Sequence, residues 1–436
     1  MQVPPGMSGP PDSTPAGLAR SVYWRLAIPT ILFMFLSSLD RVNISFAAMQ
    51  MNAELNLSPS QYGFASGLVY VGFLAGQFPS VLCLQRIGFH RWLASIAILW
   101  GAGATGLAFV QSPGELYALR VLVGFAEGGL APGIVLYLSQ FATRRQRAST
   151  FATPMLAIPL SIIFGGPISG WLLDMTAPGS LTAWRWMFLA EGLPTMVFGA
   201  AAWWYFPDSP AEASWIKPGD RAWLLSNNAS NAVHGRDNDW SVLLSPNVIV
   251  TSLLWFCLLA GAYGVMFWLP QIVSHMSSLT ALQVGLVNAL PWAGVGLGIY
   301  FNSAHSDRTG ERFWHVGAPA AIAGVAIMAA HFTGAGLISL LLLFIAGYAL
   351  GSAQSVFWAL PTILFGPTTM ALGIVMINIM GTSAGILIPH LIGFVRESTG
   401  SFSAAAFLVG GILLLAALVV LFIRLFLLRD YVEETS

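Results

Sequence analysis

Four charged residues interrupt two apolar segments of this 436-residue chain: Asp40 and Arg41 in the first segment, Arg120 and Glu127 in the fourth. Near the centre of a bilayer, each charged side chain opposes insertion by about 2.5–3.5 kcal/mol. We therefore expect all four to face a protein-lined cavity that water can reach. A buried charge network that only locks two helices together is the alternative interpretation.

Helical geometry restricts how these four charges can pair. Asp40 and Arg41 are adjacent, so their side chains point about 100° apart and cannot satisfy each other well. Arg120 and Glu127 share one helix face but lie about 10 Å apart along the axis. The most economical arrangement pairs Asp40 with Arg120, which leaves Arg41 to attract an anion and Glu127 to take up a proton.

The same cluster predicts that an anion and protons are carried together. A carboxyl group beside an arginine stays ionised, whereas one left in an apolar cavity is protonated more readily. A substrate carboxylate that competes with Asp40 or Glu127 for an arginine would therefore promote protonation of the displaced acid. Arg41 suits substrate capture because a planar guanidinium donates two hydrogen bonds to one carboxylate and keeps its charge.

The second half of the chain has no intramembrane acid or base apart from histidines, but it offers amphipathic side chains. Such groups can hold hydroxyls and an apolar face, which fits a hydroxylated or aromatic acid. Any one of them could instead anchor its helix at a membrane interface. Because the histidines are scattered, we predict neither a metal site nor a cofactor. The substrate-binding candidates of this half are Tyr263, Gln354, Ser355, Trp358 and Asn378.

Composition indicates what surrounds these residues. Charged residues make up 8% of the chain and hydrophobic residues 56%, whereas soluble domains are roughly 25% charged. Most of the surface should therefore face a lipid bilayer. The 18 acidic and 18 basic residues cancel, so no charge excess favours a nucleic-acid partner. Since no nucleophile, metal cluster or cofactor loop is recognisable, we do not expect an enzyme.

Twelve apolar stretches are long enough to cross about 30 Å of hydrocarbon as helices. They predict an all-α membrane protein with twelve transmembrane helices in two pseudo-symmetric six-helix bundles. The predicted domains are a disordered tail at 1–20, a first bundle at 21–207, a linker at 208–246, a second bundle at 247–429 and a tail at 430–436. The twelve stretches lie near 26–49, 60–83, 92–111, 114–140, 149–173, 184–206, 247–274, 281–303, 315–333, 336–365, 371–395 and 402–428.

Loop charges predict the orientation, because Lys and Arg favour the cytoplasmic side. With both termini, the tails and the linker in the cytoplasm, fourteen Lys and Arg residues lie inside, while only Arg185 and Arg396 lie outside. We therefore expect a multi-pass protein of the inner cell membrane. The inner residues are Arg20, Arg25, Arg86, Arg91, Arg144, Arg145, Arg147, Lys217, Arg221, Arg236, Arg308, Arg312, Arg424 and Arg429.

A local repeat relates the two halves. Gln85-Arg86-Ile87-Gly88 with Arg91, after the second stretch, is echoed 222 residues later by Asp307-Arg308-Thr309-Gly310-Glu311-Arg312 after the eighth. Repeated halves with a site between them are typical of secondary transporters. We expect Arg86, Asp307, Arg308 and Arg312 to gate the cytoplasmic side; a chance basic turn at two helix ends is the alternative.

Several motifs together resemble the anion:cation symporter family of the major facilitator superfamily, and within it bacterial tartrate-type transporters. The similarity extends from about residue 20 to residue 428. The motifs are Leu39-Asp40-Arg41-Val42-Asn43-Ile44-Ser45-Phe46-Ala47, Arg120 with Val123-Gly124-Phe125-Ala126-Glu127, Met155-Leu156-Ala157-Ile158-Pro159-Leu160 with Gly165-Gly166-Pro167, Phe267-Trp268-Leu269-Pro270-Gln271, His305-Ser306-Asp307-Arg308-Thr309-Gly310-Glu311-Arg312 and Phe357-Trp358-Ala359-Leu360-Pro361.

The resemblance implies the major facilitator fold, a cavity lined by helices one, four, seven and ten, and alternating access between the bundles. It implies that Asp40 and Glu127 carry protons, that Arg41 binds the substrate carboxylate and that Arg120 interacts with the acids. Ser355, Trp358 and Asn378 match substrate-contact positions of galactonate-type members.

The chain departs from the family at several positions. Gln77 and Gln85 replace frequent glutamates, which questions a cytoplasmic charge latch in the first half, and Thr382 and His390 leave the substrate open.

We expect a monomeric, proton-coupled symporter that imports a small organic anion, a hydroxy-dicarboxylate or sugar acid such as tartrate. The alternatives are exchange, which Gly165-Gly166-Pro167 with Gly170 would suit, an aromatic carboxylate as substrate, and a transporter-like nutrient sensor.

Overall fold

The computed structural model describes residues 16–141, 157–229, 240–276, 278–334, 336–366 and 369–427. These residues are almost entirely helical and contain no strand. We number the long helices α1 Gly17–Glu54, α2 Pro59–Ile87, α3 Phe89–Phe109, α4 Pro113–Ser139, α5 Ala157–Asp174, α6 Ala183–Tyr205, α7 Pro246–Met276, α8 Ala281–Thr309, α9 Trp314–Phe332, α10 Leu337–Leu364, α11 Met370–Thr399 and α12 Phe402–Leu427.

Each predicted apolar stretch corresponds to one of these helices. Within the described residues, eleven helices are long and apolar enough to cross a membrane. The remaining long helix, α6, contains Arg185 and Glu191 and is not among the eleven, so the count of twelve spans stays a prediction. A short helix, Pro218–Ala229, lies between the halves. The predicted tail at 430–436, most of the tail at 1–20, and Arg144, Arg145, Arg147, Arg236 and Arg429 lie outside the described residues.

Helix pairings repeat between the first six helices and the last six. In the first half α1 packs on α5, α2 on α4 and α3 on α6; in the second half α7 packs on α11, α8 on α10 and α9 on α12. The halves meet through α2 with α11 and through α5 with α8, which are equivalent pairs under the same repeat. The internal repeat predicted from two short loops therefore extends to the packing of the whole bundle.

Helix starts follow the same repeat. Ser58 begins α2 with a capping box, in which its side chain accepts from the backbone N–H of Gln61 and the Gln61 side chain accepts from Ser58 N. Thr280 and Gln283 do the same for α8, again 222 residues later. A capping box satisfies two N–H groups that a helix start leaves unpaired, so both halves start this helix by one local device.

Glycines set the closest helix contacts, and these contacts are reciprocal. Gly72 and Gly76 of α2 face the backbone of α4, while Gly124 and Gly128 of α4 face the backbone of α2, with no room for a Cβ atom. Small residues at this spacing let helices approach closely in membranes. The second half repeats the arrangement between α8 and α10 with Gly294, Gly298, Gly347 and Gly351.

The hydrophobic core is continuous across both halves at one end of the bundle and divided at the other. At the end away from the termini, which we call the closed end, one cluster joins residues such as Phe46 and Tyr62 to Phe267 and Trp268. At the termini end, one cluster belongs to the first half alone and another to the second half alone. Packing therefore joins the halves at the closed end.

Hydrogen bonds between the halves also lie at the closed end. Tyr62 Oη donates to the Phe267 carbonyl at 2.8 Å, and Asp174 of α5 accepts from Ala281 N and Leu282 N, at 3.0 and 2.9 Å, where α8 begins. Its counterpart in the repeat, Glu397 of α11, accepts at the start of α2 from Ser58 Oγ at 2.8 Å and Ser60 N at 3.1 Å. An acid from each half therefore caps a helix of the other.

Candidate functional site

Asp40 is fully enclosed by side chains of the first half. It is 1% exposed, and its Oδ2 accepts a 2.7 Å hydrogen bond from the indole Nε1 of Trp100 on α3. Asn43, one turn further along α1, donates to Asp40 Oδ1 at 3.4 Å. The carboxyl group therefore has a hydrogen-bond donor on each oxygen, and neither donor is charged.

Arg41 and Glu127 form the ion pair of the site. Arg41 Nε lies 3.2 Å from Glu127 Oε2, with side-chain exposures of 16% for Arg41 and 0% for Glu127. Ser37, one turn before Arg41, donates to the same Oε2 at 3.0 Å and accepts from Arg41 Nη2 at 3.1 Å. Glu127 Oε1 has no hydrogen-bond partner, so the carboxylate is held at one oxygen only.

This pairing corrects the arrangement expected from the sequence. We predicted that Asp40 pairs with Arg120, and that pairing is wrong; the expected roles of Arg41 in attracting an anion and of Glu127 in taking up a proton stay predictions. Arg120, which is 0% exposed, donates instead to the main-chain carbonyls of Asp40 at 3.2 Å and Arg41 at 3.4 Å. The physical reason is that the Arg120 guanidinium meets the backbone carbonyls of α1 rather than the Asp40 side chain. The Asp40 carboxyl group accepts instead from Trp100 of a third helix, α3.

The shape of α4 places Glu127 beside Arg41. The first part of α4 ends at Glu127, and a turn at Gly128 and Gly129 precedes Leu130–Ser139. Because Gly124 and Gly128 allow α4 to touch α2, Glu127 is held against the α1–α2 surface. The Arg41 guanidinium carbon lies 5.5 Å from the ring centre of Phe73 on α2, so an apolar wall supports one face of the cation.

One second-half candidate lies close to this cluster. Tyr263 of α7 packs against Tyr70 of α2, with ring centroids 4.8 Å apart, and both phenols interact electrostatically with Arg41. Tyr263 is also the counterpart of Arg41 in the repeat, because both residues are thirteen positions before the end of their helix. The site therefore reaches from the first half into the second through this tyrosine pair.

The other second-half candidates make contacts within their own half. Gln354 donates to the Leu258 carbonyl at 3.4 Å, and Ser355 donates to the Ser352 carbonyl at 3.1 Å. Trp358 is 38% exposed and packs on Trp255 at 5.0 Å between ring centroids. Asn378 is exposed. Among the described residues no hydrogen bond joins these four to Arg41, so their role in substrate binding stays a prediction.

The sequence interpretation missed a fifth buried charge, Glu191 of α6. It is 4% exposed, accepts a 2.7 Å hydrogen bond from Ser169 Oγ and interacts with Asn43, which also contacts Asp40. Glu191 lies inside the predicted span 184–206, so the signal was available. The contribution of Trp100 was not, because an indole in an apolar helix most often indicates packing or an interface anchor.

The four gating candidates lie at the termini end, and two of them pair with each other within the second half. Arg312 Nη1 lies 2.7 Å from Asp307 Oδ1, while Arg86 and Arg308 are exposed. Glu311 accepts from Trp314 N at 2.9 Å and from His315 Nδ1 at 3.0 Å; burial opposes ionisation, but these hydrogen bonds lower the pKa of Glu311 overall. A gating role for these residues stays a prediction.

Comparison of the sequence with known proteins identifies the family of this chain. Residues 30–389 match the family described as Major Facilitator Superfamily. A protein of Agrobacterium vitis that carries the provisional name tartrate transporter is 36% identical over 405 residues, which cover 92% of this chain and 93% of the relative. The provisionally named metabolite transport protein NicT of Pseudomonas putida is 33% identical over 416 residues, covering 94% and 95%.

Solved structures agree on the fold. A bacterial homologue of the human lysosomal transporter Spinster, in an inward-facing and occupied conformation, has a TM-score of 0.77 at 15% identity and covers 94% of this chain and 98% of its own.

Proposed function

This chain belongs to the major facilitator superfamily of membrane transporters, which are not enzymes, and from that premise we propose that it is a proton-coupled importer of a small organic anion. The observation that carries the proposal is the Arg41–Glu127 pair, in which a partly exposed cation meets a fully buried acid that is held at one oxygen. Such a pair offers one group to a substrate and the other to a proton.

The coupling follows from competition for Arg41. A substrate carboxylate can form two parallel hydrogen bonds with the guanidinium and thereby displaces Glu127 Oε2, which lies 3.2 Å from it. A buried carboxylate that loses its cation is unstable until it takes up a proton. Anion and proton therefore load together, and release of the anion allows Glu127 to return to Arg41 and lose its proton.

Asp40 is the second proton-coupling group of the proposal, and Arg120 positions it. Arg120 donates to the Asp40 and Arg41 carbonyls, so it fixes the part of α1 that carries both side chains. Because the donors to the Asp40 carboxyl group are the neutral Trp100 and Asn43, we expect this group to exchange its proton without breaking an ion pair.

Alternating access follows from the contrast between the two ends. Packing and hydrogen bonds join the halves at the closed end, and separate hydrophobic clusters face each other at the termini end. With both termini in the cytoplasm, this is an inward-facing arrangement. When the termini end closes, Arg86, Asp307, Arg308 and Arg312 are the charges that we expect to form contacts between the halves.

We infer a hydroxy-dicarboxylate or sugar acid as substrate, and tartrate is the first compound to test because a 36% identical relative carries that name. Tyr70 and Tyr263 supply hydroxyl groups beside Arg41. An aromatic carboxylate is the second candidate, since Trp255, Phe357 and Trp358 form a cluster in the second half with Trp358 half-exposed.

Reconstituted vesicles test this proposal. Uptake of radiolabelled tartrate, galactonate and benzoate is measured with and without an inward proton gradient, and with and without internal substrate. We expect concentrative tartrate uptake that requires the gradient in the parent and is insensitive to it in Glu127→Gln. Uptake that needs internal substrate would indicate exchange, and proton-driven accumulation that persists in Glu127→Gln would contradict the coupling mechanism.

A further inference from the structure

A second cavity with anion-binding chemistry lies at the closed end, outside the packing that seals the central site. Its volume is about 310 Å³. It is formed where α1, α7 and α11 end, and it contains both polar and apolar side chains. The residues used below are Asn52, Gln271, Ser274, His275 and Arg396.

Arg396 is the cation of this cavity, and the acids at this end are engaged elsewhere. Glu54 pairs with Arg185 at 2.9 Å, Asp174 caps α8, Glu397 caps α2, and Glu115 accepts from Gln111 N. In the described part of the chain, no carboxylate lies within ion-pair distance of Arg396. Its guanidinium carbon lies 3.7 Å from the ring centre of Phe402, which fixes its position without neutralising it.

Two amide groups of the cavity have unused hydrogen-bonding atoms. Gln271 is 5% exposed, and its side-chain amide interacts with the Tyr62 phenol, although its Nε2 makes no hydrogen bond of good geometry; the Oδ1 of Asn52 is unpaired. Asn52 Nδ2 donates to Gln271 Oε1 at 3.5 Å, which leaves Asn52 Oδ1 as an acceptor and the second N–H of Gln271 Nε2 as a donor. An unpaired buried polar group is costly unless a ligand or water satisfies it.

We propose that this cavity is an outer binding site for a small hydroxycarboxylate, in which Arg396 and Gln271 Nε2 bind the carboxylate and Asn52 Oδ1 accepts from a hydroxyl. His275 Nε2 lies 3.0 Å from Arg396 Nη2 and holds the guanidinium from the side. The choice of anion rests on the proposed function, whereas the existence of the site rests on the cavity itself.

The outer site is separate from the central one. Asn52 is eleven residues beyond Arg41 on α1, which places it about 16 Å along the helix axis. Between them lie the Tyr62–Phe267 hydrogen bond and the bond from Trp268 Nε1 to the Pro389 carbonyl at 3.2 Å. The outer site therefore collects substrate while the central site faces the other side of the membrane.

Thiol labelling tests the outer site on the full-length protein in vesicles. Ser274→Cys is introduced after Cys83→Ser and Cys257→Ala, and it is labelled with an anionic and a cationic methanethiosulfonate that do not cross membranes. We expect the anionic reagent to react faster, tartrate to slow labelling in a saturable way, and Arg396→Gln to reduce both effects about tenfold. Arg396→Lys should restore the reagent preference but only part of the protection, because a point charge replaces the fork.

Two control variants, Arg91→Gln and Arg41→Gln, and one alternative labelling position complete the experiment. Arg91→Gln, an exposed arginine at the termini end, should leave labelling unchanged, and Ala53→Cys on the α1 side of the cavity replaces Ser274→Cys if the latter does not fold. Arg41→Gln should abolish uptake and retain tartrate protection of Ser274→Cys. Equal rates for the two reagents, protection that survives Arg396→Gln, or protection that disappears in Arg41→Gln would overturn the outer site. Protection without tartrate uptake in the parent would instead contradict the proposed function.

Discussion

The two halves of this protein share a scaffold but differ in chemistry. The reciprocal glycine contacts of α2 with α4 reappear between α8 and α10, and both α2 and α8 begin with a capping box. At the positions equivalent to the charged cluster, however, the second half carries uncharged residues. Asp40, Arg41, Arg120 and Glu127 correspond to Ala262, Tyr263, Leu343 and Leu350.

The difference shows that the close helix packing and the buried charges are encoded separately. Backbone contacts through glycines do not depend on the charges, so one half can keep the helix arrangement and lose the ionisable groups. Buried charges cost free energy wherever they are placed. Under the proposed function, concentrating them in the first half leaves the second half free to match the substrate. The comparison predicts large functional effects in the first half and equal structural effects in both.

The largest expected effect is the loss of uptake in Arg41→Gln compared with Tyr263→Phe, its counterpart. Arg41→Gln removes the guanidinium that binds the substrate carboxylate in the proposal, and a hydrogen bond to a charged group contributes about 1.5–3 kcal/mol, so we expect kcat/KM for uptake to fall about 100-fold or more when both bonds are lost. Tyr263→Phe removes one hydroxyl, which is worth about 0.5–1.5 kcal/mol, and should reduce kcat/KM by about tenfold or less. Initial rates in vesicles measure both.

Equal losses in these two variants would break the comparison, because Tyr263 would then be as central as the ion pair. Glu127→Gln in the Arg41→Gln background provides a check on folding. Arg41→Gln leaves Glu127 buried without its cation, so neutralising Glu127 should restore the thermal stability. If Arg41 binds the substrate, uptake should stay low in this double variant; if Arg41→Gln only destabilises the protein, uptake should return together with the stability.

The second effect is structural and should be the same in both halves. Gly124→Ala and Gly347→Ala each place a Cβ against a carbonyl of the neighbouring helix, Val69 and Pro291 respectively. Overpacking of this kind costs about 1–3 kcal/mol, so the two variants should lower the unfolding temperature in detergent by similar amounts. Gly296→Ala is the matched control, since nothing lies within 4 Å of its added Cβ.

A clear inequality between Gly124→Ala and Gly347→Ala would show that the halves are not equivalent in packing. Alanine is the better helix former, so Gly296→Ala should not lower the unfolding temperature. A loss of stability in this control would show that close approach to the neighbouring helix is not the cause of the losses in the other two variants.

The sequence predicted the helices and the repeat well because both are local properties. A long apolar stretch or a loop motif needs no knowledge of its neighbours. The pairing of Asp40 with Arg120 failed because the period of one helix gives the direction of a side chain but not the helix that it meets. Trp100 on α3 donates to the Asp40 carboxyl group in place of Arg120, and Arg120 donates to the α1 backbone in place of the Asp40 carboxyl group. Likewise, the four-residue spacing of Gly124 and Gly128 is typical of close helix packing in membranes, but the spacing alone does not identify α2 as the partner.

The smallest expected effect concerns the acids that cross between the halves at the closed end. Asp174 caps α8 and Glu397 caps α2, and a charged cap contributes about 0.5–2 kcal/mol. Asp174→Asn and Glu397→Gln should therefore each shift a modest and similar fraction of molecules toward opening at this end. Distances between spin labels on Ala53 and Ser398 report the opening, and Glu115→Gln is the control because its hydrogen bond to Gln111 stays within the first half. If only one of the two variants opens, then only one of the two caps holds the closed end together. The closed end would then be asymmetric, although the helix packing of the two halves is symmetric.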